Sequence, residues 1–467
     1  MKKIIKEFAL IFAFLCMVLV CMPNETFAAT VTSGEEFRAA IEEGTDTEII
    51  LGGNISLDGI ITSNNIGSRS PAPAVVIART ITINGQGNTI STTSVRTMIE
   101  TYATTEPITI TFNNVKLENS YSKGRCIDTR TGDTTLNLNS TTLDTLNSPV
   151  HSQPLTIGGG YDGTNTINIT NSTISAGNAG YAIIVYNKIN MNITDSNISG
   201  YSSLYMKGKL EGVGGASTGG NGSAGSLVNI TNSNLKSYNN DASSKFSTIA
   251  FEDDNITVNI KNTNIVADGT SPQEKNAFGD NIYGATAPST TPNKVVLQEG
   301  VKLTVENNIV ATEQTGTKIE VVGAGVTANV DIPTESIKIA GGTVKEDANG
   351  NKVVVIEYKV IIDGKEYKVE AGKTIKDIAD YNSLIVREGH DFAGFISNEK
   401  MFDPNTKINS DVEMKTVFAP IQGPATATTT EATPEKDVTP KTGVENISAY
   451  ALIIATIALM GIVVIKK

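Results

Sequence analysis

Between residues 81 and 267 one phrase recurs: two apolar residues two positions apart, then Asn or Asp with a small hydroxyl residue, then a third apolar residue. It reads ITITFNNVKL at 108–117, LNLNSTTL at 136–143, INITNSTI at 167–174, MNITDSNI at 191–198, VNITNSNL at 228–235 and VNIKNTNI at 258–265, with an earlier version, ITINGQGNTI, at 81–90. Apolar residues two apart give a β-strand one buried face. The Asn or Asp that follows (Asn114, Asn171, Asp195, Asn232, Asn262) tolerates left-handed backbone, so each phrase predicts strand, sharp bend, strand.

The phrases start 24 to 37 residues apart. A unit this short cannot bury its own face, so the units must stack, each supplying half of its neighbour's core. The pattern therefore predicts an all-β fold, a parallel β-coil over residues 30–345, with apolar rows about 4.8 Å apart. Loops of any length can leave the corners. The Gly-rich stretch 208–226 lacks the Gly-Lys-Ser/Thr of a phosphate loop and runs into no helical pattern, so it reads as a flexible corner excursion.

Both flanks differ from the repeat. SGEEFRAAIEE at 33–43 predicts a short amphipathic helix with a Ser33-x-x-Glu36 capping box and Phe37, Ala40 and Ile41 on one side. It would cover the open first coil, whose exposed strand end could otherwise recruit other chains. Residues 346–419 form a second module, in which YKVIIDGKEYKV alternates around an Asp363-Gly364 turn and TIKDIADY is a short helix started by Thr374.

The net charge of -12, without clustered Lys and Arg, excludes a nucleic-acid partner. Residues 1–29 carry Lys2, Lys3 and Lys6, an apolar run from Phe8 to Met22, and small residues at Ala28 and Ala29, the pattern of a secretion signal. Cys16 and Cys21 fall within it, which leaves Cys126 as a buried small hydrophobe and permits no internal disulfide. Residues 420–438 are a Pro- and Thr-rich spacer with little to bury. In the final segment, 439–467, the 19 residues from Ile447 to Ile465 carry no charge, enough helix to cross a hydrocarbon core of roughly 30 Å, with Lys466 and Lys467 left on the cytoplasmic side.

Candidate chemistry lies between the phrases. GRCID at 124–128, SPVHS at 148–152, IIVY at 183–186, LYMK at 204–207 and IAFE at 249–252 predict a second strand per rung. Stacked as written, Asp128, Ser152, Tyr186, Lys207 and Glu252 form one outward column, with Asp253 and Asp254 just past its end. Carboxylates beside a lysine suit a cation such as calcium, or an acidic sugar, although charge on a wet strand face is also the ordinary outcome of solvation. A slip of one residue would turn the column inward. His151 has no nucleophile or second ligand beside it, and neither zinc-site spacing nor a nucleophile elbow occurs, so no catalytic residue, cofactor or metal is assigned.

Three resemblances add to this reading. The helix cap, EIILGGNISL, ITINGQGNTI and the Asn-cornered rungs together resemble the pectate-lyase-like right-handed β-helix, in the non-catalytic form found in bacterial surface adhesins. That resemblance implies the hand of the coil and a binding role. Enzymes of the type combine calcium-holding carboxylates with a proton-abstracting Arg or Lys, and their hydrolase relatives use a Gly-His-Gly loop that is missing here. Gly389, Phe392, Gly394, Phe395 and the closing Val417-Phe418 resemble the internalin-type B repeat, a small β-grasp unit, with Phe395 where that family has Trp.

Thr439-Pro440-Lys441-Thr442-Gly443, the apolar span and the Lys pair resemble the cell-wall sorting signal of Gram-positive surface proteins, with Thr439 in place of the common Leu. That implies a sortase which cuts between Thr442 and Gly443 and joins the chain to peptidoglycan. The combined expectation is a secreted, wall-anchored adhesin that binds a host or microbial glycan or protein through the side of its β-helix. A cation-dependent lyase of acidic polysaccharide and a structural wall protein without a ligand are the alternatives.

Overall fold

A computed structural model describes residues 28–421 except 64–70, 103–105, 131–132, 159–162, 178, 209–221, 240–246, 270–275, 281–290 and 311–316. The secretion signal up to residue 27, most of the Gly-rich excursion, the spacer from 422 onward and the sorting segment with its apolar span lie outside the described residues. Among the described residues no helix is long and apolar enough to cross a membrane.

The repeat folds as a parallel β-helix with three strands per rung, the two that each phrase predicted around its bend and one from the segment between phrases. Each phrase supplies two strands that belong to different sheets. Ile167 and Ile169 lie on Asn165–Thr170, in an eleven-stranded sheet A that runs from Ala28–Val31 to Thr317–Val321; Ile174 lies on Thr173–Ala176, in sheet B. A third strand follows, here Tyr181–Val185, and belongs to an eight-stranded sheet C. Registers match phrase to phrase: Leu136 pairs with Ile167, Ile167 with Met191, Met191 with Val228 and Val228 with Val258. The inward residues of all three sheets merge into one continuous apolar core.

The bend between sheets A and B explains the Asn and the hydroxyl of the phrase. Asn114, Asn171, Asp195, Asn232 and Asn262 all have positive φ, between 47° and 52°. The residue after each of four consecutive bends, from Ser140 to Asn232, is a buried hydroxyl: Thr141, Ser172, Ser196 and Ser233. The Ser196 hydroxyl donates to Thr194 O at 2.7 Å and accepts the Ser172 amide of the preceding rung at 3.1 Å, while the Ser196 amide donates to Ser233 Oγ, also at 3.1 Å. The corner is thus a hydroxyl ladder that satisfies buried backbone donors for which a tight bend leaves no strand partner.

The helix at the front forms as expected over Gly34–Glu42, with Phe37 and Ile41 buried. Ser33 Oγ accepts from Glu36 N, but Glu36 returns its bond to the amide and hydroxyl of Thr32 rather than to Ser33. The side chain of Glu42 is wholly buried and accepts from Val76 N (2.8 Å), on the edge strand of sheet C, and from Ser63 N (2.9 Å). A carboxylate thereby satisfies an edge donor that would otherwise be open to another chain.

Beyond the last rung, Lys352–Ile362 pairs at one end with Thr327–Ala328 and at the other with the antiparallel Lys365–Glu370 and the parallel Val412–Met414. Asp363 and Gly364 turn the hairpin with positive φ. Thr374 caps a 3-10 turn over Ile375–Asp377, and Phe395 is fully buried. Among the described residues, contacts group those up to 385 with 394–417, and separately 386–393 with 418–421. In the smaller group Phe392 and Phe418 pack with ring centres 5.6 Å apart.

Candidate functional site

Sheet C carries the polar groups. Both faces of Thr97–Thr101, Arg125–Thr129 and Ser202–Met206 are buried, so side chains that point away from the apolar core are also withdrawn from water. The Glu100, Asp128, Thr156, Ile184, Tyr205 and Ala250 positions stack in that order on successive rungs. One outward position further on, backbone bonds of 2.7–3.0 Å continue the ladder through Arg130, Gly158, Tyr186, Lys207 and Glu252.

This arrangement keeps part of the expected column and corrects the rest. Tyr186, Lys207 and Glu252 are stacked as the sequence suggested. Asp128 sits one outward position earlier, level with Tyr205. Ser152 is not in the column: the sheet C strand of its rung is Leu155–Ile157, and Ser152 lies in the preceding bend, where its Oγ accepts from Thr145 Oγ1 at 2.8 Å and Gly177 N at 3.0 Å. The column is not wet either, since Tyr186 and Asp128 are buried. The place expected for Ser152 is taken by Gly158, whose φ is +77° and where a Cβ would stand 2.6 Å from Asn187 Cβ.

Two ionic clusters result. In the first, Arg125 Nη1 donates to Asp128 Oδ2 at 2.5 Å, and Arg130 lies 3.6 Å from Glu100 and 3.9 Å from Asp128. Arg125 Nε and Arg130 Nη2 remain buried without an acceptor. Buried guanidinium N–H groups in that state are desolvated without a compensating bond, a cost the ion pairs beside them offset.

In the second cluster Lys207 Nζ lies 2.6 Å from Glu252 Oε2 and donates to the Tyr205 hydroxyl at 2.9 Å, while that hydroxyl donates to Glu252. Burial brings Lys207 down to about 8 and pushes Glu252 up to about 8. It also raises Asp253, whose carboxylate accepts from Ala224 N at 2.9 Å. Asp254 follows at the rim and is half-buried. Tyr186 is raised to about 12, first by burial. Beside the pair, the Tyr181 ring packs against Tyr201 and Tyr205 with centroids 5.6 and 5.0 Å away.

Arg125, Arg130, Glu100, Tyr181, Tyr201 and Tyr205 were not among the site residues the sequence reading named. Reading GRCIDTR as a full strand with the period of two, rather than stopping at Asp128, would have exposed Arg130. Among the described residues no three His, Cys, Asp or Glu side chains gather as a metal site. His151 has a positive φ of 45° and is exposed, with Nδ1 3.2 Å from Ala179 O. Cys126 is buried, and burial pushes its thiol pKa up.

Residues 28–151 match the model of a family described as a pectate lyase-like adhesive domain. Among solved structures, the chain is similar to the SRRP of "L. reuters 100-23", with 15% identity and a TM-score of 0.41 over 64% of this chain and 84% of that one. No curated protein matches it.

Proposed function

We propose that this chain is a secreted, wall-anchored adhesin whose β-helix binds a host or microbial glycan or protein through sheet C and leaves it chemically unchanged. The observation that carries the reading is the match of residues 28–151 to an adhesive domain family. The polar clusters on the same coil support it. Arg125 and Arg130 offer buried donors, the tyrosines offer ring faces and edges, and Glu252, Asp253 and Asp254 offer acceptors at the rim. A ligand rich in oxygen would be held by positioning alone.

In this reading the secretion signal exports the chain, and a sortase acting at Thr439-Pro440-Lys441-Thr442-Gly443 attaches it to peptidoglycan after the apolar span has paused it in the membrane. The B-repeat-like β-grasp module and the Pro- and Thr-rich spacer hold the coil away from the wall.

Screening the purified chain on glycan and matrix-protein arrays tests the proposal. Saturable binding that Lys207→Ala and Arg130→Ala each weaken supports it, and an array without any hit contradicts it. One observation favours a second reading, a cation-dependent lyase: burial lowers the Lys207 amine to about 8, where it can accept a proton near neutral pH.

A further inference from the structure

We propose that the outward face of sheet A is a contact surface for a second copy of this chain, with the two coils packed face to face and their axes antiparallel. The starting observation is charge. In a chain of net charge -12, the outward positions from Ile81–Asn84 to Leu227–Thr231 are Thr and Asn, with a single Leu and no charged side chain. The outward face of sheet B, by contrast, includes Lys116, Glu118, Asp144 and Lys236. Two copies of an acidic protein repel each other wherever their charges meet, so the uncharged face is where they can approach.

The second observation is a pair of side-chain ladders. Asn168 Nδ2 donates to Asn137 Oδ1, Asn192 to Asn168, Asn229 to Asn192 and Asn259 to Asn229, each at 2.9–3.0 Å. Alongside, Asn139 donates to Asn113 at 2.9 Å and Asn113 to Asn84 at 2.8 Å. Every bond runs in the same direction along the coil. A primary amide has two N–H groups and two acceptor lone pairs, and the ladder uses one of each, so every rung still presents a donor and an acceptor.

Such a surface is its own complement. Amide dipoles aligned along one coil attract those of a facing coil when the two run in opposite directions, which sets the antiparallel arrangement of an isologous pair. Leu227, 38% exposed on this otherwise polar face, gives the contact an apolar element. Three columns over six rungs, with two residues between columns and one strand spacing between rungs, cover roughly 500 Å² per copy and on the order of 1,000 Å² in the pair. That is the low end for a specific interface. It suits a contact made by many copies at once, where avidity adds to a weak single affinity.

Thr166 and Thr170 flank Asn168 on Asn165–Thr170, the fourth of the six rungs, outside the ladder bonds. Sedimentation of the full chain, purified in mild detergent over rising concentration, tests the proposal with Thr166→Lys/Thr170→Lys and Thr166→Glu/Thr170→Glu. Reversible self-association of the parent chain, weakened at least about tenfold in either variant alone and regained when the two are mixed, is the expected result. Unchanged melting temperatures keep folding out of the comparison. A chain that stays monomeric throughout overturns the proposal, as does association indifferent to these charges, which would place the contact in the apolar tail or elsewhere. Loss of neutral-glycan binding in both variants without any self-association would assign the face to a glycan and overturn it equally.

Discussion

Lys207 Nζ stands 2.6 Å from Glu252 Oε2, on neighbouring rungs of one outward column, and burial moves the two groups toward each other in pKa until both titrate at about 8. Glu252 therefore keeps a proton in the folded chain between its ordinary 4.5 and about 8, a range in which the unfolded chain has released it, so stability falls as pH rises through that window. Lys207 behaves oppositely: between about 8 and its ordinary 10.5 the unfolded chain holds the extra proton, and stability rises with pH. The pair predicts a stability minimum near pH 8. Melting curves of the parent chain minus those of Lys207→Met/Glu252→Gln, from about pH 5 to about pH 10, should dip there; a maximum at pH 8 would contradict the assignment.

Ser196→Ala removes a hydroxyl that donates to Thr194 O and leaves the buried Ser172 amide without its acceptor. A buried donor stripped of its partner costs about 1–3 kcal/mol. The loss should appear in chemical denaturation as a lower midpoint with an unchanged slope. Ser196→Thr restores the oxygen and should recover most of it.

At the corner itself, Asn171 has φ +49°. A β-branched residue is strained there, so Asn171→Val should destabilise by roughly 1–2 kcal/mol, whereas Asn171→Gly, free of that clash, should cost less. Equal losses in the two variants would mean that the side-chain bond from Asn171 to Ser140, 3.0 Å, matters more than the backbone conformation.

Glu42 closes the front of the coil through Val76 N, Ser63 and Thr62, with Arg38 3.4 Å away. Glu42→Ala leaves the buried Val76 amide without its acceptor and should cost about 1–3 kcal/mol. Because Val76 lies on the edge strand of sheet C, the same variant should also aggregate more readily on partial heating, as light scattering would register.

The sequence made sheets A and B legible and sheet C only partly so, for a physical reason. Sheets A and B are joined by a bend of fixed length whose left-handed residue must be Asn, Asp or another tolerant type, so the phrase keeps its spacing. The link from B to C has no such constraint: the C strand begins at Ser202, two residues after Gly200 ends its B strand, but at Leu155, ten after Thr145. A constant offset therefore placed Tyr186, Lys207 and Glu252 well and misplaced Ser152. Alternation could not correct it, because strands such as Arg125–Thr129 are buried on both sides and Asp128 is as enclosed as Ile127.

Binding without turnover is the central property proposed for this chain. Incubating the purified chain with acidic polysaccharides and calcium, and following the absorbance of unsaturated ends, tests it directly. No product is expected even at saturating ligand, from the parent chain and from Lys207→Ala alike; steady accumulation of unsaturated product that Lys207→Ala abolishes would overturn the adhesin reading.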